Sequence, residues 1–388
     1  MRAVALVDGD HSPEVVREAL AALPYDWVGA ILVGGSEKLR GVPDYGVPLV
    51  QALDGGAADV VVDLSDEPVL GPAERLRWAS KALAAGLPYV GADFRFEPPE
   101  LQPFPLPSLA VIGTGKRVGK TAVTGHVARL LARDRDVLVV AMGRGGPAEP
   151  EVVEVAPRVD DLLALARAGR HAASDHLETA ALAGVVTIGC RRCGGGLAGA
   201  VATSNVAAGA ALAVEREPDL AIFDGSGAAI PPVEVDARIL VTGPGLDATG
   251  YLNAYRVLVS DLVVVMHGDE AAAERIRALK DVPVVSATLR LRPVEPLSGR
   301  RVAVFTTGAA PTEHLDADVV HVSRSLADRA ALRAELDRVD ADVFVVEIKA
   351  AAIDVVAEAA AARGVDVVLA DNEVVADGLD EVILDVAP

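Results

Sequence analysis

The chain has 388 residues, and its 36 Lys and Arg against 56 Asp and Glu leave a formal net charge of −20. At roughly 100–200 residues per domain, that length predicts two or three domains and excludes a peptide or a disulfide mini-protein. With 51% hydrophobic and 24% charged residues the chain can bury substantial cores. Its negative charge argues against non-specific binding to nucleic acid or to an anionic membrane surface, so a polyanionic small molecule would need a local basic site.

In chain order, the opening MRAVALVDGDHSPE reaches Asp8 and Asp10 too soon for a secretory leader. Strands are expected over Val4–Val7, Trp27–Val33, Val60–Leu64 and Leu87–Val90, with helices over Pro13–Leu23 and Pro72–Gly86. FRFEPPELQPFPLPS carries Pro98, Pro99, Pro103, Pro105 and Pro107, a density that continues neither helix nor central strand, and is expected to be a linker. A second run of strands follows: Leu109–Ile112, Val137–Ala141, Val185–Ile188, Leu220–Phe223, Ile239–Thr242, Leu262–Met266 and Val282–Ser286. Leu197–Val214 is uncharged over a membrane-like length but is Ala- and Gly-rich and broken by Thr203, Ser204 and Asn205, which favours a buried helix. LRPVEPLSG marks a second break, and a third unit holds strands at Arg301–Phe305, Val319–Val322, Val343–Val346 and Val365–Leu369 with a helix over Ile353–Arg363. The expectation is an α/β protein, a central P-loop domain with a parallel sheet (residues 106–298) flanked by smaller α/β units at 1–105 and 299–388.

Residues Leu109 to Thr124, LAVIGTGKRVGKTAVT, are the most informative stretch. An apolar strand ends at Gly113, a glycine-rich turn closes on Gly119-Lys120-Thr121, and a helix is expected over Ala122–Ala132. Backbone amides of Gly113, Thr114, Gly115, Val118 and Gly119 with the helix N-terminus suit a triphosphate, Lys120 its terminal phosphates, and the Thr121 hydroxyl a Mg²⁺ ion. The spacing is one residue longer than the strict G-x-x-x-x-G-K-T pattern, with Thr114 where that pattern has glycine. Two of only six lysines in the chain lie in this loop. A glycine-rich turn without ligand is the alternative.

Other candidates sit where loops leave strand ends, the usual place for ligands in a doubly wound sheet. Arg144, in Met142-Gly-Arg-Gly-Gly, could meet a phosphate or carboxylate, and Glu149 beyond it could support Mg²⁺; a solvated loop is the other reading. Asp224, at the tip of Leu220–Phe223, suits a second Mg²⁺ anchor or a turn cap. In Cys190-Arg-Arg-Cys193-Gly-Gly-Gly the interior Arg191 and Arg192 suit phosphate capture better than zinc or redox chemistry, and the single cysteine pair suits a reducing cytoplasm, the expected location. Ser174-Asp-His176 opens a helix, with His176 a minor substrate candidate. His11, in Asp8-Gly-Asp-His, could touch a phosphate or serve a turn and cap.

The loop GTGKRVGKT resembles, in register, the GTDTxVGKT loop of dethiobiotin synthetase. Gly113–Thr121 together with the Gly-Cys-Arg-Arg-Cys-Gly-Gly-Gly segment at 189–196 and the opening Val-Asp-Gly-Asp-His resembles the cyclic 2,3-diphosphoglycerate synthetase family, from Leu6 to Asn372. That resemblance implies ATP-driven closure of 2,3-diphosphoglycerate into a cyclic phosphoanhydride with release of ADP and phosphate, using ATP and Mg²⁺ as cofactors. One substrate phosphate would attack the γ-phosphorus, and its neighbour would then displace inorganic phosphate. In that scheme Lys120, Lys116 and Arg117 act on the transferring group and the acceptor. Arg144, Arg191, Arg192 and His11 hold the substrate, and Thr121, Asp224 and Glu149 hold the metal. A homodimer would suit this branch of P-loop proteins. The alternatives are an ATP-dependent ligase or kinase on another anionic metabolite, and a nucleotide-dependent dimerising switch or metallochaperone.

Overall fold

The structure, a computed structural model, describes residues 1–39, 41–308 and 311–388. Short Val- and Ile-rich runs alternate with Ala- and Leu-rich helices, the pattern that yields parallel strands with helical crossovers. The chain packs as two compact units. One holds residues 1–100, 247–260 and 274–281; the other holds residues 101–246, 261–273 and 282–388. This differs from the three consecutive blocks expected from the sequence, because two segments of the central block, 247–260 and 274–281, pack with the amino-terminal residues.

The first unit has a five-stranded sheet built from β1 (Arg2–Val7), β2 (Asp26–Leu32), β3 (Val60–Asp63), β4 (Tyr89–Val90) and β5 (Arg95–Phe96), in the order β2-β1-β3-β4-β5. Helices α1 (Pro13–Ala22) and α2 (Pro72–Ala84) each open on proline, whose missing N–H costs nothing in a first turn.

The second unit carries a 13-stranded sheet. Its first half comprises β6 (Ser108–Gly113), β7 (Val137–Gly143), β8 (Glu151–Val153), β9 (Val186–Cys193), β10 (Thr203–Ser204), β11 (Leu220–Asp224), β12 (Ala237–Thr242), β13 (Leu262–Met266) and β14 (Val284–Pro293). The second half is β15 (Arg301–Phe305), β16 (Asp318–Ser323), β17 (Val343–Glu347) and β18 (Asp366–Val375). The main path runs β10-β9-β7-β11-β6-β12-β13-β14-β18-β17-β15-β16, with β8 paired to β9. Every residue of β6 and of β7 is buried, as expected for parallel strands covered on both faces. From β6 the chain moves to β7 on one side and later to β12 on the other, which puts a change of direction beside β6. Helices α3 (Lys120–Leu131), α4 (Val159–Arg167), α5 (Asp175–Ala183) and α6 (Val206–Arg216) belong to this half.

The proline-marked break after residue 286 is not a break in the sheet. Residues 288–293 continue β14 and pair antiparallel with β18. The segment Thr-Leu-Arg-Leu-Arg alternates, Leu291 is buried, and Pro293 is the strand's last residue, beyond which the Val294 amide still donates to the Leu369 carbonyl at 2.9 Å. β18 is longer than Val365–Leu369 for the same reason. The helix expected over Ile353–Arg363 is a π-helical segment, Ala352–Ala357, continued by an α-helix over Glu358–Arg363.

Candidate active site

β6 delivers the chain into the glycine-rich loop at its carboxyl end. Gly119 has φ of +85° and Arg117 has φ of +60°, so the loop turns through the left-handed region twice before α3 begins. A side chain on Gly113 would come within 2.9 Å of the Gly227 carbonyl oxygen, and one on Gly115 within 2.8 Å of Leu246, so glycine at both lets the backbone pass. Thr114 takes the place of the missing glycine. It is buried, its amide donates to the Val241 carbonyl at 3.1 Å, and its hydroxyl meets that of Thr242 at 3.1 Å, tying the loop to β12. Val118 is buried in the core beneath the loop, while Lys116 and Arg117 are exposed. Gly119 caps α3 without a side-chain bond, and a helix start of this kind presents unsatisfied amides and a positive dipole end.

Lys120, the first residue of α3, donates from Nζ to Asp224 Oδ1 at 2.5 Å. The same oxygen accepts the Thr124 hydroxyl at 2.7 Å. β11 brings Asp224 here because its last residues lie beside β6 and β7, with Asp224 level with Val111 and Ala141. The aspartate is almost wholly buried; burial raises its carboxyl above the usual range, and Lys120 and Thr124 pull it back down. Thr124 was not singled out from the sequence, although it lies four residues after Lys120 and therefore on the same helix face.

The arginine segment converges on this loop. β9 extends through Cys190-Arg191-Arg192-Cys193, further than the four residues expected. Arg192 donates from Nη2 to the Ser226 carbonyl at 2.7 Å and approaches the Ser226 hydroxyl at 3.3 Å. A methyl group placed on Gly227 would lie 3.7 Å from Arg192 Nη2 and 3.8 Å from Lys116 Cγ, so one glycine is flanked by side chains from both segments. Arg191 and Arg192 cannot act from one side, because successive residues of a strand face opposite ways. Arg191 shares the face of Gly189, whose α-carbon is covered by the His176 ring of α5.

The same alternation separates the two cysteines. Cys190 is buried, and a side chain on Gly209 of α6 would sit 2.3 Å from its sulfur; Cys193 is exposed. Burial pushes the Cys190 thiol up to about 12. Both are free, and among the described residues no group of three or more His, Cys, Asp and Glu side chains is arranged to hold a metal. Within β9 the two cysteines face opposite ways, an arrangement that does not point both sulfurs at one metal or at each other.

Arg144 is exposed and lines a cavity of about 150 Å³ with Gly143, Gly145, Gly146, His171, Ser174, Asp175 and His176. Glu149 is exposed beyond residues Pro147 and Ala148, whose carbonyls accept from Asn205 Nδ2 at 3.2 and 3.0 Å. His11 belongs to the first unit. Its Nδ1 lies 2.8 Å from Asp8 Oδ1 and its Nε2 3.4 Å from Asp66 Oδ2, while Asp8 also accepts the backbone amides of Asp10, His11 and Asp66. Both ring nitrogens thus face carboxylates. In this arrangement His11 serves the turn built on Asp8.

Comparison with known proteins matches three successive segments to one family. Residues 2–97 match the cyclic 2,3-diphosphoglycerate synthetase N-terminal domain, 108–289 its P-loop domain and 293–373 its C-terminal domain. The chain is 48% identical to the cyclic 2,3-diphosphoglycerate synthetase of Rubrobacter xylanophilus, covering 100% of this chain and 97% of that protein. It belongs to the cyclic 2,3-diphosphoglycerate synthetase family. Proteins of the same name from Thermococcus onnurineus and Methanothermus fervidus are 41% and 36% identical, with 97% and 99% of this chain and 96% of each relative covered. Among solved structures, LpxK from Aquifex aeolicus in complex with ATP aligns with a TM-score of 0.44 and 14% identity over 74% of this chain and 91% of that one. The family assignment makes the chain an ATP-dependent ligase with a P-loop nucleotide site.

Proposed function

We propose that this protein closes 2,3-diphosphoglycerate into its cyclic phosphoanhydride with conversion of ATP to ADP and phosphate. The observation that carries the reading is that Gly227 is flanked by the Arg192 guanidinium and the Lys116 side chain, beside the loop that holds Lys120 against Asp224. Ring closure forces two phosphates of one molecule together, and their mutual repulsion is the barrier that positioned cations lower. Lys120 and the loop amides bind the β- and γ-phosphates, the ammonium turning from Asp224 towards them. Lys116 and Arg117 extend positive charge to the acceptor, and Arg192, Arg191 and Arg144 hold the substrate. No general base is required, since a phosphate monoester is already largely dianionic at neutral pH, its second pKa being about 6.

Magnesium needs no dedicated cage; one or two protein oxygens, water and the nucleotide's phosphates suffice. Thr121 in the first turn of α3 and the Asp224 carboxylate fit that requirement, with Glu149 a further carboxylate on the β7 loop. When bound, the ion neutralises charge on the β- and γ-phosphates. The three sequence segments 1–105, 106–298 and 299–388, a cytoplasmic location and a homodimer remain part of this reading.

Phosphorus NMR tests it. Incubation with ATP, Mg²⁺ and 2,3-diphosphoglycerate is expected to give a cyclic phosphoanhydride resonance, ADP and inorganic phosphate, with ATP consumption dependent on the diphosphate. ATP turnover without it, or transfer of phosphate to a linear product, overturns the reading in favour of another ligase, a kinase or a switch.

A further inference from the structure

The cavity beside α5 has a chemistry that the phosphate-binding cations do not explain. Two of its lining side chains, Ser174 and His176, are more than nine-tenths buried, and both Ser174 Oγ and His176 Nε2 lack a hydrogen-bond partner. Buried polar atoms are normally paired, and each one left alone is costly. Ser174 stands at the N-cap of the nine-residue α5 yet makes no capping bond, so its hydroxyl is not spent on the helix. Burial holds the His176 imidazole below its usual range, so it is neutral at physiological pH and carries one N–H. Arg144 supplies one positive charge at the rim, and Asp175 one negative charge.

The balance of these charges selects among the substrate's groups. A phosphate dianion would sit against the Asp175 carboxylate, with Arg144 the one arginine lining the cavity and Arg192 near enough to feel both charges. A carboxylate is a planar monoanion with two oxygens, and the cavity offers a hydroxyl, the imidazoles of His171 and His176 and one guanidinium. The lysine-rich cations lie instead at the P-loop, where the two phosphates must meet. The spacing is compatible. β7 runs beside β11 with Ala141 level with Asp224, so Gly143, at the cavity wall, stands one strand over and two residues on. That is roughly 8 Å from Asp224 by strand geometry, within reach of a three-carbon molecule carrying a phosphate towards the loop.

We propose that the Arg144–Ser174–His176 cavity is the seat of the substrate's carboxylate, holding the non-reacting end while the two phosphates face Lys116, Lys120 and Arg192. This rests on 2,3-diphosphoglycerate being the substrate. Recognition there would fix which carbon carries the phosphate nearest the nucleotide.

The test compares 2,3-diphosphoglycerate with propane-1,2-diol bisphosphate, which keeps both phosphates and lacks the carboxylate. The wild-type enzyme, Ser174→Ala and His176→Gln are assayed on both, with ADP affinity as the control for an intact fold. Loss of a hydrogen bond to a charged group is expected to lower kcat/KM for 2,3-diphosphoglycerate about ten- to a hundredfold in each variant. On the carboxylate-free analogue, wild type and variants should be equally slow. Variants that lose as much on the analogue as on the natural substrate, or that lose nothing on either, overturn the assignment. Failure of the wild-type enzyme to cyclise 2,3-diphosphoglycerate overturns the underlying reading instead, and the carboxylate seat with it.

Discussion

At the scale of single residues, the site turns on one buried ion pair. Asp224 sits in the sheet with its charge compensated by Lys120 and by the Thr124 hydroxyl, and burial alone would favour its neutral form. Removing the lysine therefore has two consequences. Lys120→Ala is expected to lower kcat for ATP-dependent cyclisation on the order of a thousandfold or more, since a phosphate-clamping cation acts mainly in the transition state. It should also change the pH dependence of stability. Without its counter-charge the Asp224 carboxyl titrates higher still in the folded state, so its stabilising contribution is present in acid and lost as pH rises. A thermal melt of Lys120→Ala should fall further below wild type at pH 8 than at pH 5. Equal turnover, or a pH-independent difference in melting, would contradict this account. The lysine was legible in the sequence because its signal is local: glycine spacing, a preceding apolar run and a following helix. The companions Thr124 and Ser226 were less legible, for their roles depend on strands that meet only in the fold.

At the scale of elements, α5 links the cavity to a buried charged cluster. Its first turn carries Asp175 and His176, and three residues on Glu178 faces Lys349 across 3.8 Å, with Glu347 and Asp371 close enough to add negative charge. Burial pushes the Glu178 carboxyl up to about 8, more than Lys349 lowers it, while Lys349 is itself raised, chiefly by Glu178. Because the folded-state value exceeds the ordinary one near 4.5, the folded protein binds the proton more tightly than the unfolded chain. The stabilisation is complete below about pH 4.5 and disappears as pH rises through about 8. Glu178→Gln cannot ionise, so its melting temperature relative to wild type should climb between pH 6 and pH 8.5. A constant difference across that range would show that Glu178 does not titrate there. Sequence reading reached α5 as a helix opening at Ser174 with His176 a minor substrate candidate, and it missed Glu178, since a carboxylate facing a lysine 171 residues later leaves no periodic trace. β9 is the opposite case: once the strand extends through residue 193, a period of two assigns Arg191 and Arg192 to different faces. Stopping the strand at Ile188 hid that separation.

At the scale of the whole molecule, the carboxyl-terminal segment of the chain and the P-loop segment share one hydrophobic interior. β14 carries the sheet from β13 into β18, and Arg290 and Arg292 pair across that seam with Glu373 and Asp371. After β18 the chain returns through α7, here the helix Leu379–Val386, whose Leu379 and Ile383 are buried in the same cluster as Leu109, Val111, Val123 and Val127. His126 of α3 approaches Asp380 at 2.7 Å. The proline-rich segment near residue 293 reads as a boundary because proline density usually ends structure, yet its prolines lie at and beyond the strand's end. Truncation after residue 298 therefore does more than delete a neighbour. It exposes the β14 edge and Leu291, and it removes Val374, Leu379 and Ile383 from the core that α3 packs on. Each fully buried aliphatic side chain contributes about 1.5–3 kcal/mol, and a domain's total margin is about 5–15 kcal/mol. A chain of residues 1–298 is expected to aggregate or to unfold without a cooperative transition, and to lose ADP binding. A soluble, cooperatively melting fragment that binds ADP with full-length affinity would mean that the shared interior is not needed to form the loop.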